Sequence, residues 1–315
     1  MNKKYTFLLP AYKAHFFADA LQSIKNQSYL DFNVIVSDDC SPEDLKSIFD
    51  REVGDDPRFT YRRNKENMGG ESLVSHWNLL VDMCDTEYLI MASDDDVYAP
   101  NYLEEIDALT RTFSEIDVLR GRMAKMDGEG VVFREDDPAP ELLNVLEYLQ
   151  RKYTTAIQAG LQNFTFKTDV LKSYGGFINF PLAWFSDDAT VLECSGNGIC
   201  ITPDVVFKMR ISGQNITCQR ERNIIDKKLI ATMQFGDWVF PFLNSIEDYS
   251  DTKYASMSDD AWNGVKHHIQ KMAMELYEYA SVPVAISLYC WLIKYKLLPS
   301  RSQYLKSYIR ARLLA

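Results

Sequence analysis

Over the first 125 residues, short apolar runs alternate with segments of helical spacing, an order that leaves few architectures open. Tyr5–Leu9, Asn33–Ser37, Phe59–Arg62, Tyr88–Ala92 and Val118–Met123 read as strands. Between them Phe17, Ala20, Leu21 and Ile24 share one helical face, as do Leu45, Ile48 and Phe49 in the segment Pro42–Arg51. Leu73, Trp77, Leu80 and Cys84 form a third such face, and Leu103, Ile106 and Leu109 a fourth. This alternation predicts βαβ units: an α/β fold with a mostly parallel sheet covered by helices on both faces. Ligands of such sheets bind beyond the carboxyl ends of the strands, so the strand ends are where function is sought.

The alternation weakens after residue 125. Asp127-Gly128-Glu129-Gly130 predicts a hairpin within Lys125–Phe133, and Asp136–Pro140 reads as a Pro- and acid-rich linker. Asn163–Lys167 and Asp204–Arg210 read as strands of a smaller mixed segment, and the pattern is helical from about Gln219 onward. The expected organisation is a main domain over 1–218, in halves 1–125 and 126–218, with a helical C-terminal region over 219–315.

Two strand ends are acidic. The second strand runs into Asp38-Asp39-Cys40-Ser41 and the fourth into Ser93-Asp94-Asp95-Asp96. Like charges gathered at one rim need a cation or hydrogen-bond donors to balance them. Aspartates are hard oxygen ligands, suited to Mg2+ or Mn2+ bridging substrate phosphates. Taken alone, Asp38-Asp39 serves equally as an N-cap ahead of Pro42. Asn64–Gly70 lies between the clusters, with Gly69 and Gly70 permitting close approach of a ligand to a helix start. A third acid pair, Asp187-Asp188, opens a helix over Ala189–Cys194 and reads either as dipole-favoured capping acids or as a general base. Arg210 after the last strand suits phosphate oxygens or a structural ion pair. Neither G-x-G-x-x-G nor G-x-x-x-x-G-K-[ST] occurs, which disfavours Rossmann dehydrogenases and P-loop NTPases. His76, beside Trp77, reads as structural, and the neighbours His267 and His268 face different sides of a helix.

Thr6–Tyr12, Val34–Ser41, Asn67–Gly70, Ser93–Asp96 with Pro100, Gly175-Gly176-Phe177, Asp187-Asp188 and Arg210 together resemble the family 2 inverting glycosyltransferases of the GT-A fold, over roughly residues 4–218. The resemblance implies a nucleotide-sugar donor held by the 1–125 half and an acceptor held by the 126–218 half. It implies Pro10, Ala11 and Tyr12 as the floor for the donor's base and Asp38 or Asp39 as its hydrogen-bond partner. It further implies Asn67, Gly69 and Gly70 along the nucleotide, and Mn2+ or Mg2+ on Asp96 with Asp95 at the metal or ribose. Asp94 compensates for Ser93, which stands where many members carry the first acid of the metal motif. Asp188 matches the catalytic base, with Asp187 where Glu is usual. Cys40 stands where Gly is usual, and Ser212 where a His often follows the Arg.

The implied activity is transfer of a sugar to a glycan or lipid-linked acceptor in cell-surface polysaccharide synthesis. Two other readings compete: a non-catalytic sugar-nucleotide or glycan-binding module of the same fold, and a sugar-1-phosphate nucleotidyltransferase. The second wants glycines after the first strand, where Pro10-Ala11-Tyr12-Lys13-Ala14 has none. A net charge of −11 argues against nucleic acid as a partner. Yet from Tyr279 to Ala315 there is no acid, while Lys294, Lys296, Arg301, Lys306, Arg310 and Arg312 interleave with apolar residues. Residues 282–315 therefore suit an anionic membrane surface, a homodimer interface, or packing on the chain's own domain. Val282–Ile293, the longest apolar stretch, is shorter than the ~20 residues of a spanning helix. Met1–Tyr12 lacks a signal-peptide core, and six scattered cysteines without C-x-x-C read as reduced thiols; both lead us to expect a cytoplasmic protein, at most peripheral on the inner face of the membrane.

Overall fold

The computed structural model describes residues 3–154, 156–212, 219–246 and 252–298. The first half builds β1 (Tyr5–Ala11), α1 (Phe17–Lys25), β2 (Phe32–Asp38), α2 (Leu45–Val53), β3 (Phe59–Arg63), α3 (Met68–Met83), β4 (Tyr88–Met91), β5 (Val97–Tyr98) and α4 (Tyr102–Thr112). The middle adds β6 (Val118–Met126), β7 (Val132–Glu135), β8 (Leu142–Leu143), α5 (Val145–Tyr153), β9 (Phe164–Lys167), α6 (Thr168–Ser173), α7 (Ser186–Cys194) and β10 (Ile199–Arg210). Three helices follow, α8 (Arg222–Ile246), α9 (Thr252–Leu276) and α10 (Val282–Lys294).

One sheet holds the strands in the order β3-β2-β1-β4-β9-β6-β10-β5, with β7 beside β6 and β8 beside β10. From β3 to β4 every pair is parallel, as is β6 with β10. Pleating sends successive side chains to opposite faces. Phe7, Leu9 and Ala11 of β1 join the layer under α1, α2 and α4, while Leu8 joins that under α3, α5 and the C-terminal helices. Leu8 accepts the N–H of Ala92, so the next like-facing residue, Pro10, lies past the end of β4. A missing N–H costs no ladder bond there.

Three expectations are corrected. β9, expected in a smaller segment, sits inside the main sheet, antiparallel to both β4 and β6. Nothing local in N-F-T-F-K shows that β4 and β6 flank it; within the sheet the Thr165 hydroxyl is buried and bonds the Tyr102 hydroxyl at 3.0 Å. The expected linker at Asp136 is anchored instead: Asp136 takes an ion pair from the fully buried Arg120 at 2.6 Å and N–H bonds from Met123 and Gln158. β10 begins at Ile199 rather than Asp204, because the register shift between Ile201 and Val205 accommodates Pro203 within the strand.

The C-terminal helices share the core of the α3 face. Phe235 of α8 stacks flat on Phe185 at 4.5 Å between ring centroids. Among the described residues no helix is long and apolar enough to cross a membrane.

Candidate functional site

β1 and β4 end side by side, and the loop after β4 brings three carboxylates to that rim, each less than 10% exposed. Asp94 accepts the backbone N–H groups of Tyr12 and Lys13 at 2.8 and 2.7 Å, so it fixes the turn after β1. Asp95 faces the Lys13 ammonium at 3.0 Å. Asp96 accepts the Ser93 hydroxyl at 2.6 Å and the Arg210 N–H at 2.7 Å. Burial and the neighbouring Asp95 push the Asp96 carboxyl up to about 7, and burial raises Asp94 against the pull of Lys13. Burial is the larger cause of both rises, and the neighbouring Asp95 charge adds to it.

Arg210 belongs to this cluster through its scaffold. Its guanidinium donates to the Asp95 carbonyl at 2.9 Å and to Asp19 at 3.2 Å, and stacks over Phe16 at 4.1 Å. These contacts leave it 5% exposed, so protein acceptors occupy the cation expected to meet phosphate.

Asp38 and Asp39 are drawn inward. Asp38 is fully buried and accepts from Ser41 N–H at 2.8 Å, from Tyr61 at 2.5 Å and from Arg63. Asp39 accepts from Asn64 and from the first N–H groups of α3, Met68 at 3.0 Å and Gly69 at 2.7 Å. A carboxylate at a helix N-terminus satisfies orphan donors and suits the dipole. Gly69 is required by this approach, since a Cβ there would lie 2.9 Å from Asp39 Oδ2. Asn67 caps the same helix through Gly70 N–H at 2.7 Å. His76 Nε2 meets Ser37 Oγ at 2.9 Å inside the sheet–α3 contact, and burial lowers its pKa. Ala11 is buried and Tyr12 is exposed at the mouth of this rim. The two acids thus shape the loops beyond β2 and before α3, their own oxygens already engaged.

Asp187 and Asp188 occupy the first turn of α7, where acids suit the dipole. The approach to that turn is strained: Leu182, Ala183 and Phe185 all have positive φ, at 60°, 56° and 67°. Such outliers persist where surrounding packing holds them. Here Phe185 stacks on Phe235, and Lys228 of α8 lies over the Trp184 ring at 4.9 Å. Upstream, Asn78 of α3 bonds both Phe177 N–H and its carbonyl, at 2.7 and 3.0 Å, tying this loop to the helix that starts beside Asp39. Asp188 is ion-paired with Lys152 of α5. Burial raises the Asp187 pKa against the attraction of Lys152, whose own ammonium burial pulls down to about 8.

Sequence reasoning missed Lys13 and Lys152. Lys13 stands one residue past Tyr12 at the same strand end, so its position was a usable signal. No spacing links residue 152 to 188, and only tertiary packing joins them.

The oxygen-only donor set suits a hard divalent ion. Among the described residues no group of three or more His, Cys, Asp or Glu side chains makes a ready ion cage. Mg2+-like ions commonly use one or two carboxylates and complete their shell with phosphate and water, so Asp95 and Asp96 fit such an ion in chemistry and charge.

A parallel-to-mixed sheet lies between helical layers, with its acidic loop beyond β4, the architecture that the family 2 glycosyltransferases of the GT-A fold would require. The sequence model of Glycosyl transferase family 2 matches residues 6–171, and the chain belongs to that family. A curated relative, the GalNAc(5)-diNAcBac-PP-undecaprenol beta-1,3-glucosyltransferase of Campylobacter jejuni, is 35% identical over 77 residues. That stretch is 24% of this chain and 24% of the relative, so the match spans about a quarter of the relative's length. Among solved structures, S. aureus TarS 1-349 with UDP-GlcNAc superposes with a TM-score of 0.59 at 14% identity, covering 98% of this chain and 90% of that one. The mannosyltransferase PcManGT of Pyrobaculum calidifontis, in complex with GDP-Man and Mn2+, gives 0.53 at 15% identity, covering 99% and 87%. At these identities the structural likeness speaks for the fold.

Proposed function

We propose that the chain moves a sugar from a nucleoside diphosphate sugar to a hydroxyl of a glycan or lipid-linked acceptor, with inversion, in cell-surface polysaccharide synthesis. The observation that carries this reading is the acidic loop Asp94–Asp96 fixed at the ends of β1 and β4. Turns after β1 and β2, set by Asp94, Asp38 and Asp39, frame the pocket whose floor is Pro10, Ala11 and Tyr12. Asn67, Gly69 and Gly70 line the nucleotide from the start of α3. Asp95 and Asp96 would hold Mn2+ or Mg2+, and such an ion would supply charge stabilisation for the departing nucleoside diphosphate. Arg210 keeps the two acids in place through its N–H and guanidinium.

Asp188 takes the proton of the acceptor hydroxyl as that oxygen attacks the anomeric carbon. Lys152 orients it, and the Asp187 carboxyl, raised by burial, is the neighbouring acid. No covalent intermediate is needed; the work is orientation and charge stabilisation. The 126–218 half and the helices of 219–315 supply the acceptor side, with Trp184 and Phe185 held by α8.

The lipid-linked acceptor draws support from the Campylobacter relative's substrate and from α10. Val282, Ile286 and Ile293 on that helix are 51%, 58% and 40% exposed, beside Lys294 and Lys296. Arg301, Lys306, Arg310 and Arg312 lie outside the described residues, so peripheral membrane contact and a homodimer through 282–315 stay sequence-level proposals.

The test is release of nucleoside diphosphate from a panel of UDP-, GDP-, dTDP- and CDP-sugars with lipid-linked and soluble glycan acceptors, the product anomer read by NMR. One donor giving inverted product, lost on adding a chelator, is the expected result. Binding of donors with no transfer to any acceptor would favour the non-catalytic module, and retained configuration would overturn the mechanism.

A further inference from the structure

Lys13 is, among the described residues, the one side-chain cation recorded within 4 Å of the Asp94–Asp96 carboxylates. Its ammonium lies 3.0 Å from Asp95 Oδ2 and 3.8 Å from Asp94 Oδ1. The other recorded donors to these three side chains are neutral: the N–H groups of Tyr12, Lys13 and Arg210 and the Ser93 hydroxyl. The Arg210 guanidinium is turned to the Asp95 carbonyl, the Gly128 carbonyl and Asp19. The counter-charge of the acid loop therefore rests on one flexible lysine.

That lysine is poised to leave. Its backbone is pinned, because its own N–H donates to Asp94, but its side chain is 36% exposed. A solvent-reached Lys–carboxylate pair is worth little, and a compact ammonium on a four-carbon stem reorients at small cost. A divalent ion brings twice the charge to the same oxygens. A displaced ammonium finds its next partner in phosphate oxygens beside that ion, where lysine acts as a point charge.

We propose that Lys13 is an exchangeable counter-cation of the Asp94–Asp96 loop. It holds the loop while no ion is present, gives way to a divalent ion, and moves to the donor's phosphates. Ion and nucleotide binding are then mutually dependent: the ion alone must displace Lys13, and the nucleotide rewards the displacement. Such coupling is reciprocal by linkage. The inference rests on the sugar-transfer reading above for its phosphate half, while the counter-cation half concerns the protein and the ion alone.

The experiment titrates Mn2+ by electron paramagnetic resonance against full-length wild type, Lys13→Met and Lys13→Arg, each with and without UDP or GDP. Without nucleotide, Lys13→Met is expected to bind Mn2+ about threefold tighter than wild type, a change of about 0.7 kcal/mol, and Lys13→Arg to stay close to wild type. With the accepted nucleoside diphosphate, wild type tightens toward Mn2+ by about tenfold or more, and most of that gain is lost in Lys13→Met. Equal or weaker Mn2+ binding by Lys13→Met without nucleotide, in protein with an unchanged circular dichroism spectrum, overturns the proposal. If no nucleoside diphosphate binds wild type, the sugar-transfer reading fails, and the nucleotide-free comparison still decides the role of Lys13.

Discussion

The backbone N–H of Arg210, at the end of β10, donates to Asp96 Oδ1 at 2.7 Å across 114 positions of sequence. The loop after β4 is thereby held by the last residue of a strand at the far side of the sheet, and the Arg210 side chain carries the tie on to Asp19 of α1. β10, docked beside β6, therefore fixes Asp96, while the turn after β1 fixes Asp94. Geometry that long-range contacts fix in this way is preorganised, which is what an electrostatic site requires.

Asp96→Asn keeps the size of the side chain and an oxygen for the Arg210 N–H while removing the charge. Transfer is expected to fall by about 10^2–10^3-fold, the cost of deleting one charge-stabilising group. Melting temperature should move by no more than about 3 °C, since the bond that shapes the loop survives. Initial rates and thermal melts on the same preparation check both, and a variant with wild-type turnover would remove Asp96 from the site.

Asp188→Asn is expected to lower kcat by about 10^2–10^4-fold with nucleoside diphosphate affinity unchanged, the pattern of a lost general base. Asp187→Asn should cost less, because the Lys152 ion pair belongs to Asp188. If the larger loss follows Asp187 instead, the raised pKa of that carboxyl identifies the base and Asp188 becomes its support.

The N-terminal half was legible because its signals are local. Apolar runs gave β1 to β4, helical spacing gave α1 to α4, and the rule that strand ends carry function pointed to Asp94–Asp96. What stayed hidden was set by tertiary contact. N-F-T-F-K reads as part of a smaller segment because no spacing shows that β4 and β6 flank it, and Asp136 reads as linker because none shows that Arg120 meets it. The same holds at the candidate site. The carboxylates of Asp38 and Asp39 were readable, but not that Tyr61, Arg63 and the start of α3 occupy their oxygens. Lys152 beside Asp188 has no counterpart in any spacing.

Two titratable groups give pH windows of stability. Burial would raise Asp107, yet hydrogen bonds from Lys4 and Tyr5, with Arg111 nearby, hold it below the usual carboxylate range. A depressed acid stabilises the fold above its unfolded pKa of about 4 and ceases to as pH falls through its folded value. Asp107→Asn is therefore expected to cost about 2 kcal/mol at pH 7 and progressively less below about pH 4. His268, packed against Tyr153 and Phe185, is pushed down to about 4 by burial and by Lys152. The unfolded chain protonates this ring first, so wild type loses stability as pH drops from about 6.5 toward 4. His268→Phe should flatten that window; urea unfolding at stepped pH reads both effects, and parallel curves for variant and wild type would contradict them.

Cys40 offers a prediction in the opposite direction. It holds φ at 56° in the turn closed by the Ser41 N–H to Asp38, a left-handed conformation that suits glycine. A side chain there costs about 1–2 kcal/mol. Glycine gives back about 0.5–1 kcal/mol through a more flexible unfolded chain, so Cys40→Gly should be more stable than wild type by about 0.5–1 kcal/mol. The thiol is a small part of the balance, its recorded contacts being long ones, to the Lys65 carbonyl at 3.7 Å and Arg63 at 4.0 Å. Cys40→Ala separates the two effects, because alanine loses the sulfur and keeps the strain. Urea unfolding should rank Cys40→Gly above Cys40→Ala. A glycine variant no more stable than the alanine one would mean that the turn holds residue 40 without strain.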